Sequence, residues 1–450
     1  MEKIIEAQRE FFNTNATKSY DFRLTALKKL KSEILNNYED LISAFKIDYN
    51  KCEFDVVSTE IGMVLQELKF MIRHLKRLMK PKRAKAGLLN IGGKGYIYPE
   101  PYGVVLVVAP WNYPFHLSMI PLIDAIATGN TVVIKPSRNT AEVSRIIEKI
   151  LSVFDKKYIY VTCWDDHERD ILFDQRFDFV FYTGSPNVAK NLMERQSKFL
   201  TPTVLELGGK SPVIVDKDSS IELAAKRIVW GKFLNAGQTC IAPDYMFVQK
   251  DKKEELLKKM KEYILKFFYD GEKLKEEFPY LVAKKSIKWI KECLEEQEIY
   301  FGGNIQDRLM EPTILNNVGL DSKIMESEIF APILPVIEFE EISEAISYIK
   351  SHEKPLAVYY FGKENREKVF GECSFGGGCS NEVIMHITSE DMPFGGVGNS
   401  GMGSYHGRKS FETFSHYKSI LKKNKIELPL KYPPYSEKKL KLIKWFFGIK

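Results

Sequence analysis

The chain of 450 residues contains no run of about 18 apolar residues, the length that a membrane-crossing helix needs. Its first residues, MEKIIEAQREFF, are charged and helix-like, unlike a signal peptide. A cytosolic protein is expected. Cysteine is scarce: Cys52, Cys163, Cys240, Cys293, Cys373 and Cys379 are scattered, without a Cys-x-x-Cys pair or histidines at metal-ligand spacing, so neither a disulfide scaffold nor a metal site is indicated. Internal repeats and low-complexity segments are absent as well. The net charge of +6 is unevenly spread. From Lys418 to Lys450 there are ten lysines against Glu427 and Glu437, so this tail carries +8 and the rest of the chain about −2. That argues against a nucleic-acid groove, which would concentrate Lys and Arg on a folded face of the body.

What the sequence does contain is an ordinary globular composition, 44% hydrophobic and 28% charged, with length for two or three domains. Residues 1 to about 85 show apolar residues three and four apart, the period of amphipathic helices. NIGGKGYIYPEPYGVV, residues 90 to 105, reads as a hairpin. Apolar strands are then expected at 104–110, 131–136, 158–163 and 177–184, with helices between the earlier ones, which implies a parallel sheet buried on both faces. In such sheets the ligand lies beyond the carboxyl ends of the strands, so a cofactor site is expected there. A second α/β pattern follows, with strands near 203–206, 212–215, 244–249, 332–338 and 356–361. The fold class is therefore α/β, a parallel-sheet domain followed by a second α/β domain.

Three residues stand out chemically. Cys240, in NAGQTCIAPD, follows a helix expected to end at Gly237 and precedes Pro243, backbone that lets a substrate approach a thiol; its blander reading is a small buried hydrophobe. Glu206, in LELGGKSP, ends an apolar strand, where burial raises a carboxyl toward the range of a general base; the alternative is an acid in a salt bridge. Asn112, in PWNYP, follows a strand end, where its amide can donate to an oxyanion or cap the next helix.

Taken together, PWNYP, VIKPS, LELGGKSP, GQTCIAPDY, ESEIFAPILPV, MPFGGVGNSGMG and SYHGRKSFETFSH resemble the aldehyde dehydrogenase superfamily. GQTCIAPDY and the last motif resemble its class 3, fatty aldehyde dehydrogenase-like branch. The resemblance implies a cofactor-binding domain (residues 1–89 and 106–205), a catalytic domain (206–405), a small β bridging and oligomerisation arm (90–105 and 406–430) and a basic tail (431–450). It further implies oxidation of an aliphatic or aromatic aldehyde to a carboxylic acid by NAD or NADP, and a homodimer. In that scheme Cys240 is the nucleophile, Glu206 the general base, and Asn112 with the backbone N–H of Cys240 the oxyanion hole. Transfer of the acyl group to coenzyme A, and a retired, non-catalytic scaffold, are the alternatives. Retention of Glu206 disfavours the first, and the joint survival of Asn112, Lys135, Glu206, Cys240 and Glu328 disfavours the second.

On the cofactor side, Lys135 resembles the family's ribose-binding lysine, Glu328 the glutamate on the nicotinamide ribose and Phe330 the residue beside that ring; Trp111 and Ser137 are grouped with them. Gly184 and Ser185 open GSPNVA where the family usually reads G-S-T-x-x-G, and Pro186 suits the first position of a helix that binds an anion, with Ser185 as its cap. Arg138 stands where the family often has an acidic residue against the adenosine ribose, so a 2′-phosphate, and hence NADP, is expected to be used at least as well as NAD; the alternative is a surface arginine. Gly396 to Gly401 matches G-x-G-x-x-G, but no strand leads into it, which excludes the dinucleotide fingerprint. The tail KKLKLIKWFFGIK is read as packing over the substrate entrance or a partner subunit, with an anionic membrane surface as the alternative.

Overall fold

The computed structural model describes residues 1–162, 166–426 and 428–450. Cys163, at the end of the expected strand 158–163, and Glu427 lie outside the described residues. Two sheets organise the chain. The first has six strands in the order Gly401–Met402, Thr203–Glu206, Phe179–Thr183, Val104–Val108, Thr131–Lys135, Ile159–Val161. All pair in parallel except Gly401–Met402, which runs antiparallel to Thr203–Glu206. Val104–Val108, Thr131–Lys135 and Phe179–Thr183 are buried at every position, as unbroken β-branched and aromatic runs require when helices cover both faces. One of those helices, His116–Thr128, is itself buried throughout. The second sheet orders Glu298–Phe301, Thr313–Asn316, Ile333–Phe339, Tyr245–Gln249, Pro212–Val215, Ala357–Phe361 and Gly377–Ser380.

The helical lead-in forms as its periodicity predicts, with helices Glu2–Asn13, Tyr20–Asn36 and Tyr38–Tyr49. A fourth helix, from Glu53 to Leu78, carries a π-helical turn at Val57–Ile61. Such a turn widens the helix by one residue and is frequent at functional sites.

The hairpin expected within residues 90–105 does not form. Gly93–Pro101 is a single strand that pairs antiparallel with Ser415–Lys423 over nine positions and with Lys82–Ala84 on its other side. A nine-residue partner from the far end of the chain supplies a continuous ladder, and this outweighs the local turn tendency of Pro99 and Pro101. The basic tail ends in a helix, Glu437–Phe446, with the Ser436 hydroxyl accepting from the Lys439 N–H at 3.3 Å. Leu440, Leu442, Trp445 and Phe446 are exposed on it. No helix among the described residues is long and apolar enough to cross a membrane.

Candidate active site

At the carboxyl ends of the first sheet lies a cavity of about 640 Å³. The end of Val104–Val108 delivers Trp111 and Asn112 to it, the end of Phe179–Thr183 delivers Gly184 and Ser185, and Thr203–Glu206 delivers Glu206. Cys240, Glu328 and Phe330 enter from the second half of the chain. The structure thus brings eight of the eleven residues singled out in the sequence to one cavity. Lys135, Ser137 and Arg138 do not line it. They sit at the end of and just after the neighbouring strand Thr131–Lys135, where Lys135 is buried and Arg138 is exposed.

The loop bearing Cys240 is tied down by amides. The preceding helix stops at Phe233, short of Gly237, because Asn235 and Ala236 adopt left-handed conformations with φ of 54° and 52°. Asn235 Nδ2 donates to the Asn112 carbonyl at 2.9 Å and to the Gln238 carbonyl at 3.1 Å. Gln238 Nε2 donates to the carbonyls of Asn235 and Tyr280, both at 3.0 Å, while its Oε1 accepts from the Val282 N–H at 2.9 Å. Gly237 is needed for two reasons. Its φ is 72°, and a side chain there would run into the Ala331 carbonyl. The sequence shows Asn235 and Gln238, but their role as braces is legible only once the loop is folded.

Asn112 Nδ2 donates to the Gln238 carbonyl at 3.2 Å, which orients the amide and leaves its second N–H for the cavity. Beside it, Tyr113 OH and Thr239 Oγ1 lie 2.6 Å apart, joining the strand end to the residue before Cys240. Cys240 is half-buried. Burial, with Glu328 and Glu206 nearby, raises its thiol above the ordinary range.

Glu206 is buried and neither carboxyl oxygen has a hydrogen-bond partner. Burial alone holds its carboxyl well above the usual carboxylate range. A stabilising role is a poor account of such a group, because an unpartnered buried carboxyl costs free energy. Its main chain is fixed from both sides. The Glu206 carbonyl accepts from the Gly184 N–H at 3.0 Å, and Gly401 pairs opposite it. The Gly396–Gly401 segment therefore runs through a short turn at Gly398–Ser400 into the edge strand beside Glu206, not into a phosphate-binding helix.

Across the cavity, burial pushes Glu328 up to about 8, with Asp244 adding to the rise. Gly208 makes room for it, since a side chain at that position would strike the Glu328 carboxyl. Asp244 pins the same turn, accepting from the Ile329 N–H at 2.9 Å and pairing with Lys210 at 2.5 Å. The Phe330 ring meets Trp111 edge-on, with centroids 5.3 Å apart. Phe330 and Ile384, both lining the cavity, have φ of 50° and 63°. Strain of about 1–3 kcal/mol at each such residue persists only where the surroundings impose it, as they do at functional sites. Ser185 occupies the cap position of helix Pro186–Ser197, but its side chain does not make the expected cap, so first-turn N–H groups stay available to an anion.

The aldehyde dehydrogenase family profile matches residues 1–420. A relative from Rattus norvegicus, aldehyde dehydrogenase family 3 member A2, is 39% identical over 454 residues, covering 99% of this chain and 94% of its own. A dimeric NADP-preferring aldehyde dehydrogenase from Canis lupus familiaris is 37% identical over 440 residues, covering 96% and 97%. Among solved structures, the substrate-bound state of a Staphylococcus aureus AldH superposes with a TM-score of 0.96 at 42% identity, covering 99% of each chain.

Proposed function

The chain belongs to the aldehyde dehydrogenase family and oxidises aldehydes to carboxylic acids with a nicotinamide dinucleotide; from that premise we propose that Cys240 is its nucleophile, Glu206 its general base, and Asn112 with the Cys240 N–H its oxyanion hole. The observation that carries this assignment is the convergence, on one cavity, of a half-buried thiol and a carboxyl whose two oxygens have no other partner.

The residues present fit the dinucleotide. Thr183 Oγ1 is buried in the cavity wall without a hydrogen-bond partner, next to the uncapped helix start. Gly184 and Ser185 would hold the pyrophosphate, Lys135 and Glu328 the ribose hydroxyls, and Trp111 with Phe330 the nicotinamide. When bound, the oxidised ring supplies the acceptor for two electrons and the aldehydic hydrogen.

The chain's own residues do the rest. Deprotonated Cys240 Sγ bonds to the carbonyl carbon, and the resulting oxyanion is stabilised by the Asn112 amide and the Cys240 N–H. Loss of the aldehydic hydrogen with its electron pair restores the carbonyl as a thioester on Sγ. Glu206 then takes a proton from water, the hydroxide adds to the thioester carbon, and the C–S bond breaks to release acid and return the thiolate. The Cys240→Ala and Glu206→Gln variants test the two halves separately.

Arg138 carries the cofactor preference in this reading. It sits on the exposed turn three residues past Lys135, where a guanidinium can form a bidentate pair with a 2′-phosphate. NADP is then used at least as well as NAD. In Arg138→Glu the ratio of kcat/KM values should move toward NAD by about tenfold or more. A wild type that strongly prefers NAD, or a variant whose ratio stays put, rules the arginine out as the reader.

A homodimer is supported by two end strands, Ser415–Lys423 and Gly377–Ser380, each at the edge of its sheet. Long open edges are normally covered. Light scattering should return twice the 52.0 kDa chain mass; a monomer at micromolar concentration would refute this assembly.

A further inference from the structure

The cavity that leads to Cys240 is one-sided in charge. Among the described residues lining it, Asp55, Glu206 and Glu328 are acidic and none is Lys or Arg. Burial pulls His116, the histidine in the wall, down to about 4, so it is neutral at physiological pH. Glu206 and Glu328 belong to the reacting end. Asp55 does not: it lies on the helix wall beside the π-turn, in the company of Phe54, Ser58, Thr59 and Met63.

The nearby cation, Lys51, offsets it only from behind the wall. Lys51 is buried, pairs with Glu60 at 3.4 Å, and is boxed by the rings of Phe45, Tyr49 and Tyr113 at 5.5, 4.8 and 4.7 Å. Its charge is thus shared among Glu60, Asp55 and the rings, and Lys51 itself does not line the cavity. Glu277, close enough to repel Asp55, adds to the negative field. An aldehyde carrying an anion at its distal end would bring that charge against Asp55 and find no basic side chain in the wall, so its desolvation would go uncompensated.

We propose that Asp55 is a specificity-determining residue that excludes aldehydes bearing a distal carboxylate or phosphate and admits uncharged ones. The inference rests on the reading that the carbonyl meets Cys240 in this cavity. Like charges several ångströms apart at an effective dielectric near 20 repel enough to shift a rate constant by roughly ten- to a hundredfold. The otherwise apolar wall of Phe54, Met63, Leu117, Trp230, Ile384 and Met385 suits an alkyl or aryl chain.

The experiment compares kcat/KM for butanal and for succinic semialdehyde, equal in chain length and differing in the terminal carboxylate, in the wild type, Asp55→Asn and Asp55→Lys. Oxidation of butanal by the wild type checks the underlying reading, and the ratio of the two substrates checks Asp55. The ratio should favour butanal by about a hundredfold in the wild type, fall by about tenfold in Asp55→Asn, and fall further in Asp55→Lys. A ratio near one in the wild type, or one unmoved in both variants, overturns the proposal. Should neither variant fold, the wild-type ratio measured against salt decides: it narrows as ionic strength screens a repulsion and stays constant if shape alone discriminates.

Discussion

Cys240→Ala should abolish aldehyde oxidation, with kcat falling at least about ten-thousandfold, while the dinucleotide still binds within a few-fold of the wild-type affinity. The separation follows from where the parts sit. In the proposed arrangement the dinucleotide is held by three strand ends and the Glu328–Phe330 turn, none of which uses Sγ. The braces of the Cys240 loop are Asn235, Gln238 and Gly237, so loss of the thiol leaves the loop in place. Turnover by steady-state assay and binding by fluorescence titration check the two halves. Residual turnover within tenfold of the wild type would move the nucleophile to another residue.

The second large effect is expected at Glu206→Gln. Here the first half-reaction survives, so rapid mixing should show one equivalent of reduced dinucleotide per site, followed by a steady state slower by about 10² to 10⁴. The pH dependence gives an independent check. A base works in its ionised form, and burial raises this carboxyl well above the ordinary range, so hydrolysis should increase with pH through a limb displaced upward from that of an exposed glutamate. Glutamine does not titrate and should erase that limb without altering the burst. Wild-type turnover in Glu206→Gln would refute the assignment of the base.

Much of the architecture was legible because the physics was local. VVLVV, TVVIK and FVFYT carry unbroken apolar runs of five, three and four residues, and only strands covered on both faces can bury such runs. The residues at their ends were legible for the same reason, since Trp111, Asn112, Gly184 and Glu206 follow directly from where the strands stop. What could not be read locally was whatever a distant segment decides. The hairpin expected in residues 90–105 yielded to a strand more than 300 residues away, whose nine pairings no local propensity announces. The helix before Cys240 is expected to reach Gly237, but Asn235 and Ala236 turn left-handed, and the Asn235 side-chain amide donates to the carbonyls of Asn112 and Gln238. Asp55 and the Lys51–Glu60 pair stay hidden for a further reason. On an amphipathic helix an acid reads as solvent-facing until a cavity is known to lie beside it.

The pairing of Gly401 with Glu206 has a consequence for how the enzyme comes into being. The two residues are separated by nearly half the chain, so the strand bearing Glu206 keeps an open edge throughout synthesis of everything in between. Cys240 emerges from the ribosome soon after Glu206, but the sheet that fixes the carboxylate's backbone is closed only when Met402 is available. On the proposed roles of Cys240 and Glu206, the nascent polypeptide would hold its nucleophile long before its base is fixed in place. On those roles, competence would wait for a short edge strand to be laid against a sheet begun some 300 residues earlier at Val104.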